Sequence, residues 1–177
     1  VDSRRVLRRI ADQVHQHLPQ QRGIGRNLGH GPHLDLYRTD RGVGHLTPSG
    51  VEKYSTTEGL AHDQVRAVYE GRWGDIWVGT RGGGISLIRS GVITNYGLSD
   101  GLPSGSVRWI EEDAAGELWA VTEGGPVIWR DGTFVQPDLD RDISDLFTLQ
   151  FHEDSSGVKW LATYGNGLLR LEGGKVA

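Results

Sequence analysis

Gly74-Asp75-Ile76-Trp77-Val78-Gly79-Thr80-Arg81-Gly82-Gly83-Gly84 decides the reading of this chain, because it returns twice. The second copy is Gly116-Glu117-Leu118-Trp119-Ala120-Val121-Thr122, with Gly124-Gly125 behind it, and the third is Gly157-Val158-Lys159-Trp160-Leu161-Ala162-Thr163, with Gly165-Asn166-Gly167. Trp77, Trp119 and Trp160 stand 42 and 41 residues apart, and Thr80, Thr122 and Thr163 keep the same steps. Gly50, Gly91 and Gly132 open three segments at intervals of 41, and Gly59-Leu60 recurs as Gly101-Leu102. Several markers sharing one period identify a repeat array, and a period near 40 with short apolar runs between glycine turns is that of a four-stranded blade.

Working outward, the repeats run over 50–90, 91–131 and 132–177. The first is expected to place strands at 65–69, 75–80, 84–88 and 92–96. The second places them at 107–111, 117–122, 126–130 and 133–136. The third places them at 148–152, 159–163 and 168–171, with a stub at 175–177 where the repeat is cut short at its last strand. The period also extends backwards: Thr39 lies 41 residues before Thr80, and Leu36 stands where a tryptophan is expected. Residues 14–49 are therefore either a decayed blade or a linker. Residues 1–20 form a basic leader whose Val6, Ile10, Val14 and Leu18 recur at helical spacing. The predicted fold is all-β, a β-propeller, present as an incomplete arc of three clear four-stranded blades and the decayed fourth. Blades bury both faces by stacking, so the recurring Trp77, Trp119 and Trp160, with Thr80, Thr122 and Thr163, are read as structural anchors.

Composition narrows the chemistry. The 177 residues include 27 glycines and no cysteine, which excludes disulfides, thiolate metal sites and cysteine nucleophiles. No apolar run is long enough for a membrane helix, and no signal peptide is visible. Residues 1–45 carry eight arginines against four acids, whereas the remainder is net acidic within a total of −4. A solvated helical face accounts for the basic head better than nucleic-acid or membrane binding.

The phrase Glu-Asp, two residues, Gly-x-hydrophobic-Trp-hydrophobic-small-Thr and a glycine cluster resembles the two-component regulator propeller repeat. Glu112-Asp113-Ala114-Ala115-Gly116 and Glu153-Asp154-Ser155-Ser156-Gly157 lead into the second and third copies, while Glu70-Gly71 departs from the pattern in the first. Tyr54 to Leu60 ahead of Val65, and Tyr96 to Leu102 ahead of Val107, match the family's linking strand and loop. The resemblance implies the extracytoplasmic input region of a membrane-bound sensor, commonly a hybrid histidine kinase. Its partners would be missing blades or signalling domains of a longer chain, or a second copy. It also implies residence in the periplasm. The kinase activity of such proteins is not carried by these residues.

Candidate chemistry is sparse. His15, His17, His30 and His33 lack partners at a metal-ligand spacing, and Glu112, Asp113, Glu153 and Asp154 lack the alternating oxygens of a calcium loop. The aspartates read better as turn caps. The glycine clusters do not form a GxxxxGK[ST] cradle. No catalytic, metal or cofactor residue is nominated. The loops leading into the innermost strands carry His62, Asp63, Gln64 and Arg66 in one blade and Ser104, Ser106 and Arg108 in the next. Polar residues converging at a channel mouth can hold a small-molecule or glycan ligand. The expected function is a non-catalytic sensory or binding module. The alternatives are a fragment of a propeller-based polysaccharide lyase or hydrolase, and a structural remnant.

Overall fold

The computed structural model describes residues 35–39, 41–47 and 50–177, and every strand among them is antiparallel to its neighbours. The proposed leader helix and the histidines at 15, 17, 30 and 33 lie outside the described residues. The first sheet holds β1 (Asp35–Thr39), β2 (Gly42–Thr47) and β3 (Gly50–Tyr54). The second holds β4 (Val65–Glu70), β5 (Ile76–Thr80), β6 (Ile85–Arg89) and β7 (Val92–Tyr96). The third holds β8 (Val107–Glu112), β9 (Leu118–Thr122), β10 (Gly125–Arg130) and β11 (Thr133–Val135). The fourth holds β12 (Thr148–Glu153), β13 (Lys159–Thr163), β14 (Leu168–Glu172) and β15 (Lys175–Val176). These are four meander sheets of a propeller arc, with strand ends within a residue or two of those expected from the repeats.

The hydrogen-bonded units are shifted in phase from the sequence repeats. Gly50–Tyr54 opens the 50–90 segment, yet it pairs with β2 and forms the outer strand of the first sheet. β1 and β2 fall within 14–49. With β3 they occupy the second, third and fourth strand places of a blade, since Asp35 lies 41 residues before Ile76. We retain the reading of 14–49 as a blade as a proposal, because residues 14–34 are not described.

Three apolar layers hold the arc together, one between each pair of successive sheets. Leu36, Val43, Val65, Val78 and Ile88 fill the first, and Trp77, Ile85, Leu87, Val107 and Ile110 fill the second. Trp119, Ile128, Phe151, Leu161 and Leu169 fill the third. β5 and β9 are buried along their whole length because each has a sheet on both sides, whereas three of the five residues of β13 are only half-buried. Trp77 meets Trp129 edge-on at 5.4 Å between ring centroids, and Trp119 stacks on Phe151 at 4.8 Å.

The repeated polar residues have separate duties. Asp113 Oδ1 accepts the Glu117 N–H and Oδ2 accepts the Trp119 indole N–H, at 2.8 and 3.2 Å. Asp154 accepts from Ser156, Val158 and the Trp160 indole in the same manner. The aspartate thus caps the turn and orients the tryptophan, which is the physical reason for the six-residue spacing between them. The indole bond, followed by the turn amides, holds Asp154 below the usual carboxylate range. Where the first copy has Gly71 instead, a Cβ would lie 2.9 Å from Glu112 Oε1. The glutamate of the following sheet fills the place that the aspartate vacates.

The threonines close the next turn. Thr80, Thr122 and Thr163 each donate a hydroxyl to a glycine carbonyl, of Gly84, Gly125 and Gly167, and the hydroxyls of Thr80 and Thr122 also accept the N–H of Gly83 and Gly124. Thr122 is fully buried. Replacing it by valine keeps the shape and removes the hydroxyl that serves the Gly125 carbonyl and the Gly124 N–H. The expected loss is about 2 kcal/mol, and serine should restore most of it; urea midpoints of the two variants check this.

Candidate functional site

Inner strands β4, β8 and β12 share one irregularity. Val65 pairs with Thr80 and Ala67 with Gly79, so Arg66 is the extra residue of a bulge. The same break falls at Arg108 between Val107 and Trp109, and at Leu149 between Thr148 and Gln150. A bulge releases one residue from the ladder and re-aims its side chain. Here it does so at the same level on three neighbouring blades, at the end of the arc where the leading loops enter.

Arg66 and Arg108 meet on one oxygen. Glu123 Oε1 accepts Arg66 Nη1 at 2.6 Å, Arg108 Nη2 at 2.7 Å and Arg108 Nε at 3.1 Å. The two arginines come from adjacent sheets, and Glu123 sits in the β9–β10 turn between Thr122 and the glycines. Arg38 adds a third guanidinium by donating to the carbonyls of Val65 and Arg66, and burial lowers its pKa. On the far side the Arg108 guanidinium lies 4.8 Å from the Phe147 ring centroid, and Phe147 packs on Tyr164 at 5.5 Å.

The other loop residues serve the loops themselves. His62 Nδ1 accepts the Gln64 N–H, Asp63 accepts the Thr56 N–H at 2.7 Å, and Ser104 accepts the Ser106 N–H. The Thr56 amide is also what lowers the Asp63 pKa most. Gln64 and Ser106 contribute carbonyls to Arg81 and Glu123. Of the seven residues singled out in the sequence, only Arg66 and Arg108 share a partner. Glu123, Arg38, Phe147 and Tyr164 were not singled out. The signal was present for two of them: the residue after each anchor threonine is Arg81, Glu123 and Tyr164, and a position that varies inside a strict repeat is free of the fold's demands.

The Arg66 hydrogen bond, reinforced by Arg108, holds Glu123 below the ordinary glutamate range against an opposing desolvation. A lowered folded-state pKa stabilises above the unfolded value, near 4.3, and the benefit disappears as pH falls through the folded value. The stability gap between wild type and Glu123→Gln should therefore be constant from neutral pH down to about 5 and close at more acidic pH. Denaturation midpoints across that range read it.

The Two component regulator propeller family model matches residues 59–82 and 101–124, each a Gly-Leu loop, an inner strand, the tryptophan strand and the first glycines after it. Each of these two stretches is similar to a two-component regulator propeller repeat. Solved structures share the fold around them. The extracellular domain of BT3049 from B. thetaiotaomicron, a protein assigned to the hybrid two component systems, is 21% identical with a TM-score of 0.61; the match covers 75% of this chain and 18% of that one. The extracellular domain of BT4673 from the same organism is 21% identical with a TM-score of 0.63, covering 80% and 23%. Virginiamycin B lyase from Staphylococcus aureus is 19% identical with a TM-score of 0.61, covering 79% and 48%. The chain thus spans about a fifth of the two extracellular domains and about half of the lyase. No curated protein matches it. Arg66 and Arg108 stand at corresponding positions within the two matched stretches. Among the described residues no group of three or more histidine, aspartate or glutamate side chains is placed to hold a metal, and no helix is long and apolar enough to cross a membrane.

Proposed function

We propose that this chain is a non-catalytic, ligand-binding input module of a bacterial signalling protein, positioned outside the cytoplasm, and that its ligand site is the mouth formed by the leading loops. The observation that carries this reading is the placement of Arg66 and Arg108, the bulge residues of two regulator propeller repeats, around one carboxylate oxygen. Polar groups re-aimed by a repeated backbone irregularity fit recognition better than packing. The two B. thetaiotaomicron structures are extracellular domains, which supports the location. Further blades or signalling domains of a longer chain, or a second copy, are the proposed partners.

A thermal-shift screen of the full chain against small metabolites and oligosaccharides, with hits followed by amide NMR, tests the reading. A ligand should move the signals of residues 62–66, 104–108 and 123, and Arg66→Ala should weaken it about tenfold or more. Hits that shift only residues at the opposite end of the sheets would move the site elsewhere and sink the assignment.

A further inference from the structure

The mouth is chemically lopsided, and the lopsidedness follows the repeat. Three positions recur on the second, third and fourth sheets. The bulge residue is Arg66, Arg108 and then Leu149; the residue after the anchor threonine is Arg81, Glu123 and then Tyr164; the residue two before the bulge is Gln64, Ser106 and then Phe147. In all three rows the fourth sheet changes from polar or charged to apolar or aromatic. Common backbone bonds hold the last two rows in register, since Arg81, Glu123 and Tyr164 donate their N–H groups to the carbonyls of Gln64, Ser106 and Phe147. One side of the mouth is therefore cationic and the adjoining side is an apolar wall, with the Arg108–Phe147 contact as the seam.

The cationic side is not neutralised. Two arginines share one carboxylate oxygen, and among the described residues the Arg66 Nε and Nη2 and the Arg108 Nη1 hydrogen-bond to nothing. The side chains of Arg66, Arg108 and Glu123 keep 24, 31 and 29% exposure, so solvent reaches them. Tyr164 is 72% exposed, and its ring rests on Phe147.

We infer that the mouth takes an amphipathic anion, a carboxylate joined to a flat apolar or aromatic body. The carboxylate lies across Arg66 and Arg108, the body rests on Tyr164, and Glu123 holds the same guanidinium pair as a tethered competitor. This rests on the mouth being the ligand site, as proposed above. Guanidinium forks match carboxylate geometry, and an internal carboxylate on the same pair must be displaced or shared when a second one arrives. Because the two arginines belong to neighbouring sheets, the bound anion bridges blades.

The test uses the full chain and three probes of graded chemistry: phenylacetate, the neutral phenylacetamide, and acetate, which lacks the ring. Arginine Nε–Hε NMR signals report the site. Phenylacetate should move the Arg66 and Arg108 signals, and the other two should bind about tenfold more weakly or worse. Glu123→Gln should tighten phenylacetate severalfold, and Tyr164→Ala, an exposed substitution harmless to folding, should weaken it. Equal binding of phenylacetate and phenylacetamide at the mouth would overturn the anionic class while leaving the mouth as the site. Weaker binding by folded Glu123→Gln would overturn the competitor role. Absence of any response to phenylacetate would overturn the inference outright, and the broader screen above then decides separately whether the mouth binds anything.

Discussion

Trp119→Ala should lower the unfolding free energy by about 4 kcal/mol, the largest loss expected from any single truncation here. The ring is 4% exposed, stacks on Phe151 and lies in the layer joining the third and fourth sheets. Tryptophan buries about 200 Å², and a hole of that size between two sheets cannot close without shifting both. The truncation also removes the indole N–H from the buried Asp113 carboxylate, leaving its Oδ2 with Lys159 at 3.3 Å. Trp160 has the same hydrogen bond but is only half-buried, because no described sheet packs on its outer face. Trp160→Ala should therefore cost about half as much. Urea denaturation followed by far-ultraviolet circular dichroism compares the pair. Equal losses would mean that the tryptophans act locally, through their turns, rather than as cement between sheets.

Gly101→Ala is the second large effect, and it concerns backbone geometry. Gly101 has φ +92°, and a Cβ there would lie 1.9 Å from the Phe134 carbonyl oxygen. The leading loop must move or the outer strand β11 must give way, and Leu102, 2% exposed in the second apolar layer, would be dragged with it. A loss of about 3 kcal/mol or more is expected. Gly132→Ala provides the control. Its φ is +86°, yet nothing lies within 4 Å of its added Cβ, so only about 1 kcal/mol of left-handed strain applies. If the two variants unfold at the same urea concentration, the close approach at Gly101 is softer than its geometry indicates.

The contrast between these glycines shows what was legible in the sequence. A period of 41 with tryptophan, threonine and glycine at fixed phases was enough to place the strands of three sheets, because the anchor threonine closes the same turn in each of them. The aspartate-to-tryptophan spacing reads as a capped turn for the same reason. The phase of the sheets was not legible, since a strict period has no natural origin, and Gly50–Tyr54 opens a sequence repeat while closing a sheet. The bulges were also invisible: Val65-Arg66-Ala67 and Val107-Arg108-Trp109 read as plain strand, and only the pairing shows which residue is set free. The site was half legible. Arg66 and Arg108 attract notice as charges beside apolar strands. Their shared partner, Glu123, is 57 residues from Arg66 and reaches it only through the stacking of two sheets.

The two ends of the arc are fastened by different means. At the mouth the ties include main-chain atoms: Gly82 and Gly84 both donate to the Gly105 carbonyl, and Thr148 donates to the Thr122 carbonyl. At the opposite end, side chains make the ties: Arg72 to Glu112, Glu153 to the Ala114 N–H, and Lys159 to Asp113. Ionic strength weakens the exposed Arg72–Glu112 pair more than the more buried Lys159–Asp113 pair, and leaves amide bonds nearly untouched. The assembly is thus built like a fan, fastened by amide bonds and the arginine cluster where its leaves converge and by side-chain pairs at the far rim. Salt should therefore screen side-chain ties at both ends, the Arg66–Glu123 pair included, and leave the amide bonds to Gly105 as the part of the fastening that does not depend on charge.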